Sequence, residues 1–388
     1  MRVAVAVKTT QGALWIMPQV EALLDRGAEV AVIAPQGEGR LIAALGALSL
    51  HRDGLTLHQV KWDFSFGPRL ATVRGLLRLR RLLRSLQVDV VLYHLYATAL
   101  GVRIAGTRLG LRRVHMVAGP LYLESPLIRA MERVLVRIDD KLIAGSEFTR
   151  RAYVGIGAAQ DRLLTIPYGV DLERFAPRSE RRASARAELG LPDDAFVAVM
   201  VAYVYGPKRL TFADRGIKGH FELLQAWKGF RSDHPEARLV LVGGGFDASG
   251  EALRRRLVSE LGAPLGALGV TWLDSVEDVR DAYSAADLSV SPSLSENHGA
   301  ALEASAMGVP SVVSDAGGLP EAVTDESGWI VAKGSVADLR RGLNLAHDAW
   351  AAGGLAERGA AARALMERAF GVRETAQRVA DVVMGAAR

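Results

Sequence analysis

The sequence predicts an α/β chain folded as two doubly wound parallel sheets that face a cleft. Three observations predict it. The chain has 388 residues, too many for one ordinary hydrophobic core and about right for two. Its residues are 49% hydrophobic and 23% charged, the balance of a globular protein. Short runs rich in Val, Ile and Leu alternate with helical periodicity in both halves, the pattern of parallel βαβ units.

Strands are expected over 3–7, 29–34, 88–93, 113–117, 141–144 and 163–166 in the first half. Between the first two, a helix starts near Pro18 and ends at Gly27, with Pro at the entry and Gly past the exit. The charged stretch 171–192, with Pro177 and Pro192, reads as the crossing between domains, and the boundary is set at 175/176. A second series of strands follows over 196–202, 238–242, 270–273, 288–290, 311–313 and 329–331, giving a second domain over 176–372. A last helix over 373–388 carries Ala376, Val379, Val382 and Val383 at helical spacing. That apolar stripe needs a partner surface, and the first domain is the expected one.

Composition excludes several function classes. There is no cysteine, so disulfides, thiolate catalysis and cysteine-ligated metal sites are ruled out. Residues 1–7 read as a buried strand and lack the apolar region and cleavage site of a signal peptide. No stretch reaches the roughly 18 uninterrupted apolar residues of a membrane span. A cytoplasmic protein is expected. The net charge of +5 suits an anionic ligand or surface without choosing among nucleotide, nucleic acid and lipid headgroup.

The most informative run is SPSLSENHGAALE, from Ser291 to Glu303. A strand ends near Ser291, a polar loop carries Glu296 and His298, and a short helix is expected from about Gly299 to Gly308. Unpaired amides at a helix start suit a diphosphate. Glu303, one turn in, can accept two hydrogen bonds from a ribose diol, and Glu296 can do the same for sugar hydroxyls. The competing reading is a helix start with acids that complement its dipole. Three further motifs recur in order: GSEFTRR at 145–151, IPYGVDLERF at 166–175 and SDAGGLPE at 314–321. Together these resemble the retaining glycosyltransferases of family 4 (glycosyl transferases group 1), whose fold is GT-B, two Rossmann-like domains. The resemblance covers nearly the whole chain.

The resemblance implies an acceptor-binding first domain and a nucleotide-sugar-binding second domain. It makes Glu303 the ribose carboxylate, Glu296 the carboxylate facing the donor sugar, and the backbone of His298, Gly299, Ala300 and Ala301 the sugar and phosphate contact. The family usually has seven residues between the two acids and this chain has six, which keeps Glu303 in register with Gly308 and Pro310. Lys218, Arg209 and Lys208 are the candidate cations for the leaving diphosphate, whose charge grows in the transition state; an exposed basic loop is the alternative. Gly243 permits close approach to a nucleotide or simply a tight turn, and Val276 lies where the family reads the base through main-chain atoms. Gly12 matches the glycine beside the donor phosphates. Ala118 stands where the family often has a histidine; His115 or Glu124 would take over part of its role, and His94 ends a neighbouring strand.

The implied function is retaining transfer of a sugar from a nucleotide-sugar to an acceptor hydroxyl on a glycan, a lipid-linked or a small natural-product acceptor. The nucleotide-sugar is a co-substrate and no cofactor is expected. The metal expectation is likewise none, since no Asp-x-Asp motif and no histidine pair at ligand spacing occur. The alternatives are a non-catalytic nucleotide-sugar-binding subunit and a sugar-nucleotide epimerase on the same fold. No nucleic-acid partner is expected. Two basic amphipathic segments allow at most peripheral membrane contact: Arg74, Arg78, Arg80, Arg81 and Arg84 among leucines, and Arg129, Arg133 and Arg137 beside Ile128, Met131, Val134 and Leu135.

Overall fold

The computed structural model describes residues 1–67, 69–119, 121–207 and 215–386. The chain divides into two compact units, Met1–Gly169 together with Val372–Arg388, and Val170–Gly371.

The first unit holds a parallel sheet of β1 (Arg2–Ala6), β2 (Glu29–Pro35), β3 (Leu55–Val60), β4 (Val90–His94), β5 (Arg112–Val117), β6 (Lys141–Ala144) and β7 (Leu163–Thr165), in the order β3-β2-β1-β4-β5-β6-β7. The second holds β8 (Val197–Val201), β9 (Arg238–Val242), β10 (Val270–Leu273), β11 (Leu288–Ser291), β12 (Ser311–Ser314) and β13 (Gly328–Val331), in the order β10-β9-β8-β11-β12-β13. Each sheet starts in the middle and reverses direction once, so each has a switch point, β1/β4 in the first and β8/β11 in the second. The central strands are covered on both faces. That is why they read as unbroken apolar runs such as VAVA and VVLY instead of alternating ones. Register follows the same residues, with Val3 paired to Val30 on one side and Val90 on the other.

The strand β3 was not among the expected elements. It is an edge strand in which Leu55 and Val60 are buried while the residues between them are exposed or half-buried, and His58 and Gln59 mask its period.

The stretch read as a crossing belongs to the second unit, and the division falls at Gly169/Val170, earlier than 175/176. Val170 and Phe175 are buried in the core that also holds Val197, Ala285 and Phe370, and Val170 donates to the Phe370 carbonyl at 2.8 Å. Most charges of the stretch stay exposed or half-buried, but one is turned inward. Arg186, on the helix Arg182–Glu188, is 2% exposed. It reaches the carbonyls of Ala285, Pro192, Asp193 and Ala195 and the Asp287 carboxylate at 2.8 Å.

The last helix, Val372–Ala386, packs on the helix Met17–Asp25 of the first unit and buries Ala376, Val379, Ala380 and Val383 in the core around Val3 and Leu23. Val382 is only partly buried. Arg26 pairs with Asp381 at 2.7 Å across the same contact. The helix Leu70–Leu86 buries Leu79 and Leu83 and leaves Leu70, Val73 and Leu77 exposed. The helix Pro126–Leu135 buries Ile128 and leaves Leu127, Met131 and Val134 exposed. Among the described residues, no helix is long and apolar enough to cross a membrane.

Candidate functional site

A pocket of about 230 Å³ opens in the second unit where the chain leaves β8, and its wall includes Val201, Ala202, Tyr205, Lys218, Gly243, Val276, Ala300 and Glu303. A cavity of about 20 Å³ shares Val201, Ala202, Lys218 and Ala300 with it and adds Ser293, Glu296, His298 and Gly299. These residues lie at or beyond the C-terminal ends of β8, β9, β10 and β11, around the β8/β11 switch point, where doubly wound folds bind ligands.

Lys218 is delivered by the turn before the helix His220–Asp233. Gly219 caps that helix with φ 76°, and a Cβ there would come within 2.0 Å of the Pro292 carbonyl. Only glycine lets this turn lie against the loop after β11. The Lys218 ammonium bonds the Glu296 carboxylate and lies 5.9 Å from the centre of the Tyr205 ring. Burial pulls the lysine down, and Glu296 more than reverses this, so it stays charged with a pKa above the usual lysine value. The Glu296 carbonyl accepts from Gly318 at 3.2 Å, which holds its loop against the turn after β12.

The helix carrying Glu303 runs Ala301–Ala306 and so starts two residues later than expected and is shorter. Gly299 adopts φ 54°, a left-handed conformation that cannot continue into a right-handed helix. Glu303 sits in the first turn, and Tyr283 donates to it at 3.3 Å and to the Ala300 carbonyl at 3.3 Å. Burial pushes the Glu303 carboxyl up to about 7, with the Tyr283 hydrogen bond and Arg174 opposing the rise. A carboxylate with so little compensation gains from a ligand that donates two hydroxyls.

His298 is 2% exposed, stands edge-on to Phe370 at 5.0 Å and lies 3.9 Å from the Glu321 carboxylate. Neither of its ring nitrogens makes a hydrogen bond among the described residues. Gly243 lines the larger pocket and packs against the end of β8, where a Cβ would come within 2.3 Å of the Ala202 carbonyl. Ala301, at the helix start, is fully buried, and Val276 is 37% exposed on the pocket wall. Lys208 and Arg209 lie outside the described residues.

Gly12 and His115 belong to the first unit. The Gly12 amide follows β1 and donates to the Thr9 hydroxyl at 3.3 Å. His115 lies inside β5, not at its end, and is 1% exposed. Its ring stacks on Tyr93 at 5.1 Å and faces the Arg103 guanidinium at 3.3 Å. Arg103 is clamped by Glu132 at 2.7 Å and Asp139 at 2.5 Å, and the Tyr93 hydroxyl donates to Asp139. Burial and this guanidinium push His115 well below the usual histidine range. The structure gives it a neutral ring packed in a buried charge network instead of a face toward a ligand. His94 is likewise fully buried, pushed down to about 3 by burial, with its Nδ1 3.3 Å from the Tyr168 hydroxyl. Glu124 is half-buried in the short turn Leu121–Glu124.

Sequence reasoning passed over Tyr283 and Tyr205. Tyr283 reaches Glu303 from a helix 20 positions upstream, and an aromatic residue in an Ala-rich helix carries no local sign of that contact.

The family model described as Glycosyltransferase Family 4 matches residues 17–174, and that of Glycosyl transferases group 1 matches residues 208–346. A D-inositol 3-phosphate glycosyltransferase of Streptosporangium roseum is 31% identical over 345 residues, covering 82% of this chain and 74% of that protein. That of Saccharomonospora viridis is 38% identical over 211 residues, covering 52% and 46%. The chain spans about half the length of the first such relatives it matches. Among solved structures, a glycosyltransferase of Rickettsia africae superposes with TM-score 0.79 at 15% identity, covering 100% of this chain and 98% of that one. HepE of Anabaena in complex with UDP-glucose superposes with TM-score 0.78 at 17% identity, covering 99% and 100%. These likenesses show the GT-B fold, two Rossmann-like units. With both family models placed in order and the Streptosporangium relative matched along most of its length, the chain belongs to glycosyltransferase family 4.

Proposed function

We propose that this protein transfers a sugar, with retention of configuration, from a nucleotide-sugar to an acceptor hydroxyl. The observation that carries the reading is the pocket at the β8/β11 switch point, which brings Lys218, Glu296 and Glu303 to adjoining walls. Glu303 accepts the ribose diol. The donor diphosphate competes with Glu296 for the Lys218 ammonium, and Glu296, once released, accepts hydroxyls of the donor sugar. As the leaving diphosphate gains charge, Lys218 stabilises it in a setting already desolvated, where a fixed cation is worth more than in water. Family resemblance adds front-face attack assisted by the leaving phosphate, with the acceptor taken by the first unit and the Gly12 amide beside the donor phosphates. A cytoplasmic place of action fits such a donor.

HepE was solved with UDP-glucose and the curated relatives are named for inositol 3-phosphate, so these are the first donor and acceptor to try. A thermal-shift screen against UDP-, GDP-, ADP- and TDP-sugars, run on the native chain and on Glu303→Ala, tests the donor site. One nucleotide series should raise the midpoint of the native chain and lose that effect in the variant. No shift with any series would overturn the assignment. A second reading, a nucleotide-sugar-binding subunit without turnover, is motivated by Ala118 and by the burial of His115 in its own network. It predicts the same shift with no glycosylated product from any acceptor class.

A further inference from the structure

At the opposite end of the second sheet, before β8 and β9 begin, three side chains from separate places converge. His234 ends the helix His220–Asp233, Glu236 sits in the turn before β9, and His347 lies on the helix Val336–Ala351. One ligand atom from each lies within 4.8 Å of the other two. His347 Nε2 and Glu236 Oε1 are 3.3 Å apart. Ligand atoms at about 2.0–2.1 Å from a tetrahedral zinc ion are themselves about 3.4 Å apart, so this pair already has the spacing of two vertices.

The surroundings hold the three in place. The two imidazole rings lie 3.8 Å apart, and His347 packs edge-on to Phe196 at 5.3 Å, so its rotamer is fixed by the core. The turn bearing Glu236 is pinned by Ala237 donating to the His234 carbonyl at 3.1 Å. Arg238 also spends its guanidinium on the carbonyls of Glu236 and Ala237. Arg340 bonds Asp233 at 2.6 Å and ties the two helices together beside the cluster. Two half-buried imidazoles backed by aromatic rings and one exposed carboxylate form a borderline-soft donor set of three, the number that leaves a tetrahedral ion a fourth position for water.

We propose that His234, Glu236 and His347 bind a divalent transition-metal ion of the zinc class, which fastens the end of one helix to the other. The site is remote from the switch-point pocket and independent of the donor reading. Local spacing could not suggest it, because His347 is 111 residues from Glu236. The test uses the untagged full chain, stripped with EDTA and re-equilibrated with zinc chloride, with magnesium chloride as the control. The native chain should retain one zinc per chain and melt higher with zinc than without, and magnesium should do neither. Glu236→Gln changes a side chain that is 48% exposed and should leave the fold intact while binding zinc at least about tenfold more weakly. His347→Gln should do the same, with circular dichroism checking its fold; should it unfold, Glu236→Gln decides alone. Failure of the native chain to retain zinc, or zinc retention unchanged in a folded variant, would overturn the site. The thermal shift with nucleotide-sugars should persist in zinc-free protein, which separates this proposal from the donor assignment.

Discussion

A cation paired with carboxylates and flanked by tyrosine occurs in the first unit at Arg103 and in the second at Lys218, and the two clusters do opposite things. In the first unit, Arg103 lies at 0% side-chain exposure between Glu132 and Asp139, with hydroxyls from Tyr93 and Tyr153 on the same carboxylates. Its hydrogen-bonding capacity is spent inside the fold. In the second unit, Lys218 and Glu296 retain 19% and 17% side-chain exposure and border a pocket. Among the described residues the pair's charged partners are each other, with the Asn297 amide donating to Glu296 at 3.2 Å, and a ligand with phosphates and hydroxyls would take over each half. A saturated cluster specifies structure; an unsaturated one at a switch point is available for chemistry.

The contrast is broken most directly at Arg103. Arg103→Ala leaves two buried carboxylates without their cation, and the expected loss is about 3–5 kcal/mol of stability in chemical denaturation. Nucleotide binding per folded molecule should not change. A mild effect on stability would mean the network is less saturated than its geometry says. The next effect belongs to Lys218. Lys218→Met should lower the turnover for sugar transfer by roughly 10²–10³-fold, in the range seen when a group stabilising transition-state charge is removed, with little loss of stability. Turnover close to native would reduce the Lys218–Glu296 pair to an ordinary half-buried ion pair.

The smallest effect sharpens the comparison through pH. Glu303 rises from 4.5 to about 7 because burial disfavours its ionised form. The folded state therefore binds this proton more tightly than the unfolded one, and its stabilising contribution is lost as pH climbs from about 4.5 to about 7. A ribose diol prefers the ionised carboxylate, so nucleotide affinity should move the other way. Titration calorimetry with UDP-glucose should show affinity rising by up to about tenfold per pH unit below 7 and levelling above it. Glu303→Gln should flatten both slopes. Affinity that falls with rising pH would show that the protonated acid is the binding form.

Much of this was legible in the residues, and the failures have physical causes. Buried parallel strands have no choice but to be continuously apolar, so twelve of them could be read from runs such as Arg238–Val242, whereas the edge strand β3 hides behind His58 and Gln59. The loop from Ser291 to Glu303 announces itself because its two acids and its glycine are close in sequence. Contacts made across the fold do not. Tyr283 on Glu303, Arg103 beside His115 and His347 beside Glu236 all depend on which helices, strands and turns pack together. His115 illustrates the error most clearly, since a histidine on a strand looks alike from sequence whether its ring meets solvent or a guanidinium. Arg186 is the converse, a charge read as linker that is occupied by four carbonyls and the Asp287 carboxylate.

The route of the chain has a consequence for biogenesis. The second unit is continuous from Val170 to Gly371, while the first needs Val372–Ala386 to complete the core around Val3, Leu23 and Val379. On the ribosome, the later unit is therefore the first to possess all its residues, and the earlier one waits with an open apolar flank until the helix Val372–Ala386 emerges. A nascent chain stalled at Gly371 presents one finished unit and one unfinished unit, so the N-terminal half completes its core only after the C-terminal unit has been made.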